Sequence, residues 1–448
     1  MVPRKTRKNR SRRPPSEIKP MAVAATTPTH SALVVKWRLL IILTISITIT
    51  VLVLFASSIR LFNVYFHFED YVNDQLRTHL DGQVPKKFDT KDIALILVDA
   101  DEKQEQPFGR AQPDHRKFHA QLIDGLAAAG ARVVALDVFF DSDSDYDKDL
   151  AQSVIRAENM GTHVLIGMNP EVASNDYVPA ELKSIPSETW GSIAGGGDPG
   201  RIVVLPLLRL ADKASDAETI EQPVTPSLVL KAVTAVKYPH TNVTCFFDSL
   251  HEQINIRDSQ GRMLESIPVD GQLYFMVNLA GPHDQGRVHL YHEVLRAISQ
   301  NNSDYLKQFR GKIVVVGYRV GDVVKTTRGD RYGGEVIANA MSNVLLQSYV
   351  QPLGFVPHFS LVLFMVGLGA ILPLKFNKWT VHKLPVKLPL VQQLPVPIVL
   401  LAVSVVYVFI AVIFYLFGQL LFGVAYHVAA LFLAYLSTSI LRTKLGFV

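Results

Sequence analysis

The chain is 448 residues long, 48% of its residues are apolar, and its mean hydropathy is +0.20, which is too apolar for an ordinary soluble protein. The formal net charge of +5 is unevenly distributed, because residues 61–354 hold 28 Lys and Arg against 39 Asp and Glu. Although the isoelectric point is near 9.0, this acidic centre excludes nucleic acid as the expected partner.

The first 60 residues predict a basic tail followed by a membrane span. Residues 1–34 are polar and rich in Lys and Arg, so we expect a disordered tail that contacts anionic lipid headgroups. Residues 37–60 predict the first transmembrane helix. The alternation of Thr and Ile within this stretch is also typical of a strand, and a cleaved signal peptide is a further alternative. The length of the apolar run and the long leader favour the spanning helix.

The acidic segment 61–354 predicts one α/β domain outside the membrane. A stalk helix, 61–80, continues the first span, and strands then alternate with helices. The predicted order is strand 93–98, helix 113–130, strand 133–136, helix 147–159, strand 163–167, strand 312–317 and helix 335–349. Such alternation indicates a mainly parallel sheet flanked by helices. The pattern is weaker between 170 and 311, where 202–208, 253–256 and 274–278 indicate edge or antiparallel strands.

Three more apolar stretches follow the domain and predict transmembrane helices at 357–374, 397–417 and 419–441. The loop 375–396 carries four Lys and no acid, and the tail 442–448 is also basic. The positive-inside rule places the tail 1–34, this loop and the tail 442–448 in the cytoplasm. We therefore expect a multi-pass protein of the plasma (inner) membrane whose domain 61–354 is periplasmic or extracellular. We expect His427 in the last span to form an interhelical hydrogen bond.

Polar residues follow several predicted strands and form the candidate site. They are Asp99, Asp101, Asp137, Asp141, Gly317 and Asp322. Because the carboxyl ends of parallel strands meet at one edge of a sheet, these residues are predicted to bind a polar ligand or cation, with Arg116 as a partner for an anion. Alternatively, the carboxylates cap helices and form turns, which is the more common role. Asp137 ends a buried strand and needs a partner, for which Arg116 is the candidate.

Other motifs predict no catalytic residues, no metal site and no cofactor. The acidic run 141–147 lacks the Gly and the final carboxylate of a calcium loop, since Tyr146 and Gln152 stand there. The segment 195–197 lacks the Lys of a phosphate-binding loop, and no nucleophile motif is present. The one cysteine, Cys245, cannot form an internal disulfide. The sequence therefore indicates a protein that is not an enzyme.

Three segments in fixed order resemble the CHASE type-two domain, an extracellular sensory module of bacterial signalling receptors. The first is 93–99 with Gly109, Pro113 and Arg116. The second is 130–140 followed by Asp147, Asp149, Leu150 and Ala151. The third is 309–317 followed by Asp322, Gly334 and 338–340. The chain departs from the family in lacking tryptophans around 111–115 and in having Ile337 where a histidine is frequent.

The resemblance implies a sensor that binds an unidentified extracellular signal and relays it through the lipid bilayer. Relatives often carry an output domain after the last span, whereas seven residues follow Leu441 here. We therefore expect the partner to be a separate signalling protein or another copy of the chain. A structural or assembly subunit that binds another exported protein is the alternative. A membrane-anchored hydrolase using the strand-end carboxylates is the third class, and it lacks a visible nucleophile and base.

Overall fold

The computed structural model describes the α/β domain and the C-terminal helices with gaps. The described ranges are 92–98, 115–140, 142–168, 181–186, 189–192, 204–206, 208–210, 221–251, 253–269, 274–277, 279, 288–319, 322–326, 329–380, 395–418 and 420–444. Positions 37, 40–41, 44–45, 48–49 and 51–52 are also described, and all of them are helical. The predicted stalk 61–80 lies outside the described residues.

The described helices are numbered here in chain order. They are α1 His115–Ala128, α2 Asp147–Asn159, α3 Leu228–Lys237, α4 Tyr291–Ser299, α5 Ser303–Leu306, α6 Gly333–Leu345, α7 Phe355–Thr380, α8 Pro395–Gly418 and α9 Val424–Lys444. Two short 3-10 helices lie at Leu182–Ser184 and Lys307–Phe309.

The strands follow the same numbering. They are β1 Ile93–Val98, β2 Val133–Leu136, β3 His163–Met168, β4 Trp190–Ser192, β5 Val204–Pro206, β6 Leu208–Leu210, β7 Glu221–Pro226, β8 Val243–Asp248, β9 Gln253–Asp258, β10 Met263–Pro268, β11 Tyr274–Met276, β12 Val288–Leu290, β13 Ile313–Tyr318, β14 Val323–Thr326, β15 Gly329–Tyr332, β16 Gln351–Pro352 and β17 Leu420–Leu421.

A six-stranded parallel sheet forms the centre of the domain, in the order β12-β1-β13-β2-β3-β4. Every residue of β1 and β2 is buried. Strands that are buried on both faces have continuous apolar sequences, because neither face meets water. The prediction of an α/β domain with a mainly parallel sheet is confirmed.

The two faces of this sheet pack against different layers. Helices α1, α2 and α4 share one hydrophobic core with the first face, through residues such as Leu122, Leu150 and Val294. On the second face, α3 and α6 lie between the parallel sheet and β8, β9 and β10 of a five-stranded antiparallel sheet, β10-β9-β8-β7-β6. Helix α6 is therefore internal, and eleven of its thirteen residues are buried.

Comparison with the predicted elements shows agreement at the parallel strands and differences elsewhere. Strands β1 and β2 and helix α2 have the predicted bounds, and β13 and α1 differ from them by one or two residues. Helix α6 begins at Gly333 and ends at Leu345, earlier than the predicted 335–349. Strands β9 and β11 include residues 253–256 and 274–276 and are antiparallel, as predicted. Neither flanks the parallel sheet, because β9 belongs to the five-stranded antiparallel sheet and β11 pairs with β5 in a two-stranded sheet.

The three C-terminal helices contain the predicted spans 357–374, 397–417 and most of 419–441. In the described part of the chain, one helix, Val396–Phe417, is long and apolar enough to cross a bilayer, and Val356–Leu372 and Val424–Ile440 are shorter apolar helices. Helix α9 begins at Val424 because Leu420 and Leu421 pair in parallel with Gln351 and Pro352.

A buried polar cluster joins these three helices. The hydroxyl of Tyr407 in α8 lies 2.5 Å from Nδ1 of His427 in α9, and the ring of His358 in α7 is 4.6 Å from that of His427, centroid to centroid. The predicted interhelical hydrogen bond of His427 is confirmed.

Candidate functional site

The carboxyl edge of the parallel sheet holds the described members of the predicted site. Asp137 directly follows β2, Gly317 is the fifth residue of β13, and Asp322 directly precedes β14. Because β13 and β2 are neighbours, these residues lie at the same edge. Asp99, Asp101 and Asp141 lie outside the described residues.

A close approach of two backbones brings Asp137 and Asp322 to the start of α6. A Cβ atom added to Gly317 would lie 3.0 Å from the Cα atom of Gly334 and 3.5 Å from Oδ2 of Asp137. The backbone N–H of Gly333 donates a 2.9 Å hydrogen bond to the carbonyl of Asp322. The glycines thus let the first turn of α6 rest on β13, with the carboxylate of Asp137 beside Gly317 and that of Asp322 beside Gly333. We call Asp137 and Asp322 the acidic pair.

The acidic pair is electrostatically unbalanced. Burial, together with the nearby charge of Asp322, raises the pKa of Asp137 to about 7. Burial also raises the pKa of Asp322, while a hydrogen bond from the backbone of Gly333 lowers it. Among the residues that the structure describes, no cationic side chain pairs with Asp137. Two neighbouring carboxylates with raised pKa values hold a proton near neutral pH, or accept a ligand that supplies positive charge or hydrogen-bond donors.

Arg116 lies on the opposite side of the sheet and does not pair with Asp137. It forms a buried ion pair with Asp147, the first residue of α2, and donates a hydrogen bond to the carbonyl of Ser142. Its guanidinium also lies over the ring of Phe140, 5.1 Å from the centroid. Arg116 therefore holds the segment between β2 and α2, and the predicted Arg116–Asp137 contact is wrong. The two residues do not meet because successive side chains of a strand point to opposite faces of the sheet.

The strand alternation is visible in β2. Val134 and Leu136 face the core that contains α1, whereas Val133 and Ala135 face the core that contains α6. Asp137 continues the second set, and Arg116 belongs to α1 on the other face. Asp137 follows β2 and Arg116 lies in the first turn of α1, so both are at the same edge, but the sheet separates them.

A second buried polar contact at this edge was not predicted. His119 of α1 is 1% exposed, and its Nδ1 atom lies 2.8 Å from the hydroxyl of Tyr291 at the start of α4. Burial, with the nearby charges of His115 and Arg116, lowers the pKa of His119 to about 3, so the ring is neutral at physiological pH. The signal in the sequence is one histidine on the apolar face of a helix, four residues before Ile123.

The described residues contain no group of three or more His, Cys, Asp and Glu side chains placed to hold a metal ion. The acidic run 142–146 forms turns, and Asp147 accepts a 3.0 Å hydrogen bond from the backbone N–H of Ser144. That carboxylate thus accepts a hydrogen bond that closes a turn at the start of α2.

The fold is an α/β domain that continues into a bundle of apolar helices, with an acidic edge at one end of its parallel sheet. The family model described as the CHASE2 domain matches residues 47–373. The chain belongs to the CHASE2 domain family, whose members are sensory domains. The match extends from the helical positions near residue 50 into α7. Comparison with curated proteins and with solved structures gave no match.

Proposed function

We propose that this chain is a membrane-anchored sensor whose α/β domain lies outside the cytoplasm, binds a signal at the acidic pair and relays it through the membrane helices to a separate partner protein. Membership of a sensory family supports the general role.

The acidic pair favours a polar signal that carries positive charge. The carboxylate of Asp137 lies beside Gly317 and that of Asp322 beside Gly333, and each carboxyl group has a raised pKa. A cationic or hydrogen-bond-donating ligand would stabilise the ionised pair and draw the two carboxylates together. Such a ligand shifts a conformational equilibrium only if it binds one state more tightly than the other. The Gly317–Gly334 contact is the place where the two states would differ.

The course of α6 is the observation that carries the proposal. The helix begins at Gly333 beside the acidic pair and ends at Leu345. Residues 346–354, called the exit segment below, then lead into α7 at Phe355. A helix of this length is a rod of about 20 Å, so a shift at its first turn is delivered to its last turn. Because α6 is buried along most of its length, it moves with the layers around it.

The arrangement of the C-terminal helices supports the proposed four-span topology. The β16–β17 pair places the start of α7 at the same end of the bundle as the turn between α8 and α9. The Lys-rich loop 375–396 connects the other ends of α7 and α8. The positive-inside rule assigns that loop and both chain termini to the cytoplasm, and hence the α/β domain to the far side.

Topology is tested by labelling single cysteines with a membrane-impermeant maleimide, in a chain whose Cys245 is replaced by Ala. We expect Leu250→Cys, in an exposed turn of the α/β domain, to react in intact cells. We expect Gln392→Cys, in the loop 375–396, to react only after the cells are permeabilised. The reverse pattern would place the domain in the cytoplasm and overturn the proposal.

The relay is tested by pulsed electron spin resonance on the full chain in lipid nanodiscs. Nitroxides on Leu250→Cys and Val356→Cys, which replace residues 72% and 71% exposed, report the distance between the domain and α7. At pH 8, Asp137→Asn removes a charge from the acidic pair and is expected to change this distance distribution. At pH 5 the Asp137 carboxyl, with its pKa of about 7, is protonated, so the variant and the parent should coincide.

The control for the relay experiment is Asp124→Asn, which removes an exposed ion pair with Arg156 far from α6. It should leave the distance unchanged at both pH values. If Asp137→Asn also leaves the distance unchanged at pH 8, the acidic pair is not coupled to α7 and the sensor mechanism fails.

A further inference from the structure

Glu265 of β10 is the acceptor at the centre of a buried hydrogen-bond network. Its side chain is 4% exposed. Its two carboxylate oxygens accept hydrogen bonds from Nζ of Lys237 at 2.7 and 2.8 Å, from the hydroxyl of Tyr238 at 3.1 Å, from the hydroxyl of Tyr349 at 2.8 Å and from Nε2 of Gln347 at 3.3 Å. Every donor is a side chain, so this one carboxylate connects four side chains to one another.

The donors come from two parts of the domain. Lys237 and Tyr238 end α3, whereas Gln347 and Tyr349 belong to the exit segment. Nζ of Lys237 also donates a 3.0 Å hydrogen bond to the carbonyl of Val344, in the last turn of α6. The network thus joins β10, α3, the end of α6 and the exit segment at the point where the chain leaves the domain.

Two features fix the start of the exit segment. Gln347 follows the end of α6 in the left-handed conformation, with a φ of 52°, and the next backbone N–H, of Ser348, donates a 2.9 Å hydrogen bond to the carbonyl of Asn343. Tyr349 is 8% exposed, and its ring packs edge-on against Phe275, with centroids 5.8 Å apart. Burying a carboxylate is costly unless its oxygens are hydrogen-bonded, so displacing Tyr349 or Gln347 would remove donors from Glu265.

The geometry points to Glu265 as a positioning residue that clamps the exit segment to the α/β domain, so that movement of the domain and α6 is delivered to α7. This inference rests on the proposed function for its purpose, but the clamp itself is a property of the structure. Without the clamp, the nine residues of the exit segment would absorb a shift of α6 before it reached Phe355. An apolar residue in place of Glu265 would hold the layers together but would fix no single position of Tyr349.

The chain provides a matched pair of variants. Tyr349→Phe and Tyr238→Phe each remove one hydroxyl donor from Glu265 and keep the ring. The first acts on the exit segment and the second on α3. Glu265→Gln removes the negative charge that accepts hydrogen bonds both from α3 and from the exit segment. If Glu265→Gln fails to fold, the two Tyr variants still test the clamp.

The clamp is measured by amide hydrogen exchange in the full chain in nanodiscs. The reporters are Ser348 N–H, bonded to the carbonyl of Asn343, and Leu353 N–H, bonded to the carbonyl of Leu421. Tyr349→Phe is expected to speed their exchange about tenfold, the effect of losing one hydrogen bond to a charged acceptor. Tyr238→Phe should leave the exchange of these two amides unchanged. It should speed exchange of the amide at position 238, which donates to the carbonyl of Thr234. Equal effects of both variants on the exit segment, or no effect of Tyr349→Phe, would overturn the clamp.

The spin-label distance separates a clamp from a merely structural contact. We expect Tyr349→Phe to abolish the response of the Leu250–Val356 distance to Asp137→Asn at pH 8, and Tyr238→Phe to preserve it. A response that survives in Tyr349→Phe would show that the signal bypasses Glu265 and would overturn its positioning role. If Asp137→Asn does not change the distance even when Tyr349 is present, the proposed function is contradicted. The hydrogen-exchange data would still show whether Glu265 holds the exit segment.

Discussion

Two acidic sites lie at the same edge of one parallel sheet, on opposite faces, and their chemistry differs. On the α1 face, Asp147 is buried against Arg116, which also donates to the carbonyl of Ser142. On the α6 face, Asp137 lies beside Asp322, and the described residues around it supply no cation. The first site is complete without a ligand. The second keeps two carboxylates together at a cost in free energy.

The difference shows how structural and functional carboxylates are told apart. A buried ion pair whose members are both hydrogen-bonded fixes a loop and needs no ligand to balance its charges. Like charges that share a site are retained where another requirement outweighs their repulsion, and such groups are enriched at functional sites. The contrast fits a folding role for the carboxylate on the α1 face and supports the proposed ligand-binding role of the acidic pair on the α6 face.

Removing the charge of Asp147 should have the largest effect. Asp147→Asn leaves the guanidinium of Arg116 buried without an anion, so we expect a loss of about 3 kcal/mol in the free energy of unfolding. Urea unfolding followed through the fluorescence of Trp190, with Trp37 and Trp379 replaced by Phe, reports the α/β domain alone.

Asp124→Asn is the control for this prediction, since its ion pair with Arg156 is exposed, with side chains 40% and 52% accessible. It should cost less than about 0.5 kcal/mol. If Asp147→Asn costs no more than Asp124→Asn, the Arg116–Asp147 pair does not hold the loop and the contrast between the two faces disappears.

Asp137→Asn should have a smaller effect of opposite sign. The pKa of Asp137 is about 7 in the folded chain, against an ordinary value of 3.8. A carboxyl group whose pKa is raised by folding favours the folded state at low pH, and this contribution is lost as the pH rises from about 4 to about 7. By surface area the Asp137 side chain keeps some contact with water. We therefore expect Asp137→Asn to stabilise the domain by only about 1 kcal/mol at pH 8 and to have little effect at pH 5.

The same unfolding measurement at the two pH values checks this prediction, and comparing variant with parent at each pH cancels the titration of other groups. A variant that is less stable than the parent at pH 8 would mean that Asp137 is already paired in the folded chain. The acidic pair would then be a second structural site.

The sequence predicted the parallel sheet well for a physical reason. Strands such as Ile93–Val98 and Val133–Leu136 are buried on both faces, so they have continuous apolar runs between turn residues. Their bounds follow from that pattern alone. The following helix α2 is equally clear, because acidic residues open it and apolar residues recur on one face.

The antiparallel sheet and α3 were harder to predict. Strand β10 has the sequence MLESIP, in which a buried Glu265 stands where an apolar residue is expected. Its partners, Lys237 and Tyr349, are distant in sequence, so nothing local indicates that the charge is satisfied inside the domain. Helix α3 is a short apolar run, LVLKAVTAVK, whose length and composition do not separate a helix from a strand.

The candidate site was predicted in part. Position after a strand placed Asp137, Gly317 and Asp322 at one edge, and the structure brings them together. The same argument could not assign Arg116 to a face, because its helix can cover either side of the sheet. Only the packing of α1 on Val134 and Leu136 decides that. The contribution of Gly334 was likewise hidden, since a close contact between backbones leaves no periodic signal.

The short parallel pairing of Gln351–Pro352 with Leu420–Leu421 has a consequence for how the bundle responds. Strand β16, which leads into α7, pairs with β17, which lies between α8 and α9. Val350, Tyr415 and Leu421 form a small hydrophobic cluster at this contact. A displacement of the exit segment would therefore act on α7, α8 and α9 together. We therefore expect the three helices to tilt together, so that their ends far from the β16–β17 pair would also move together.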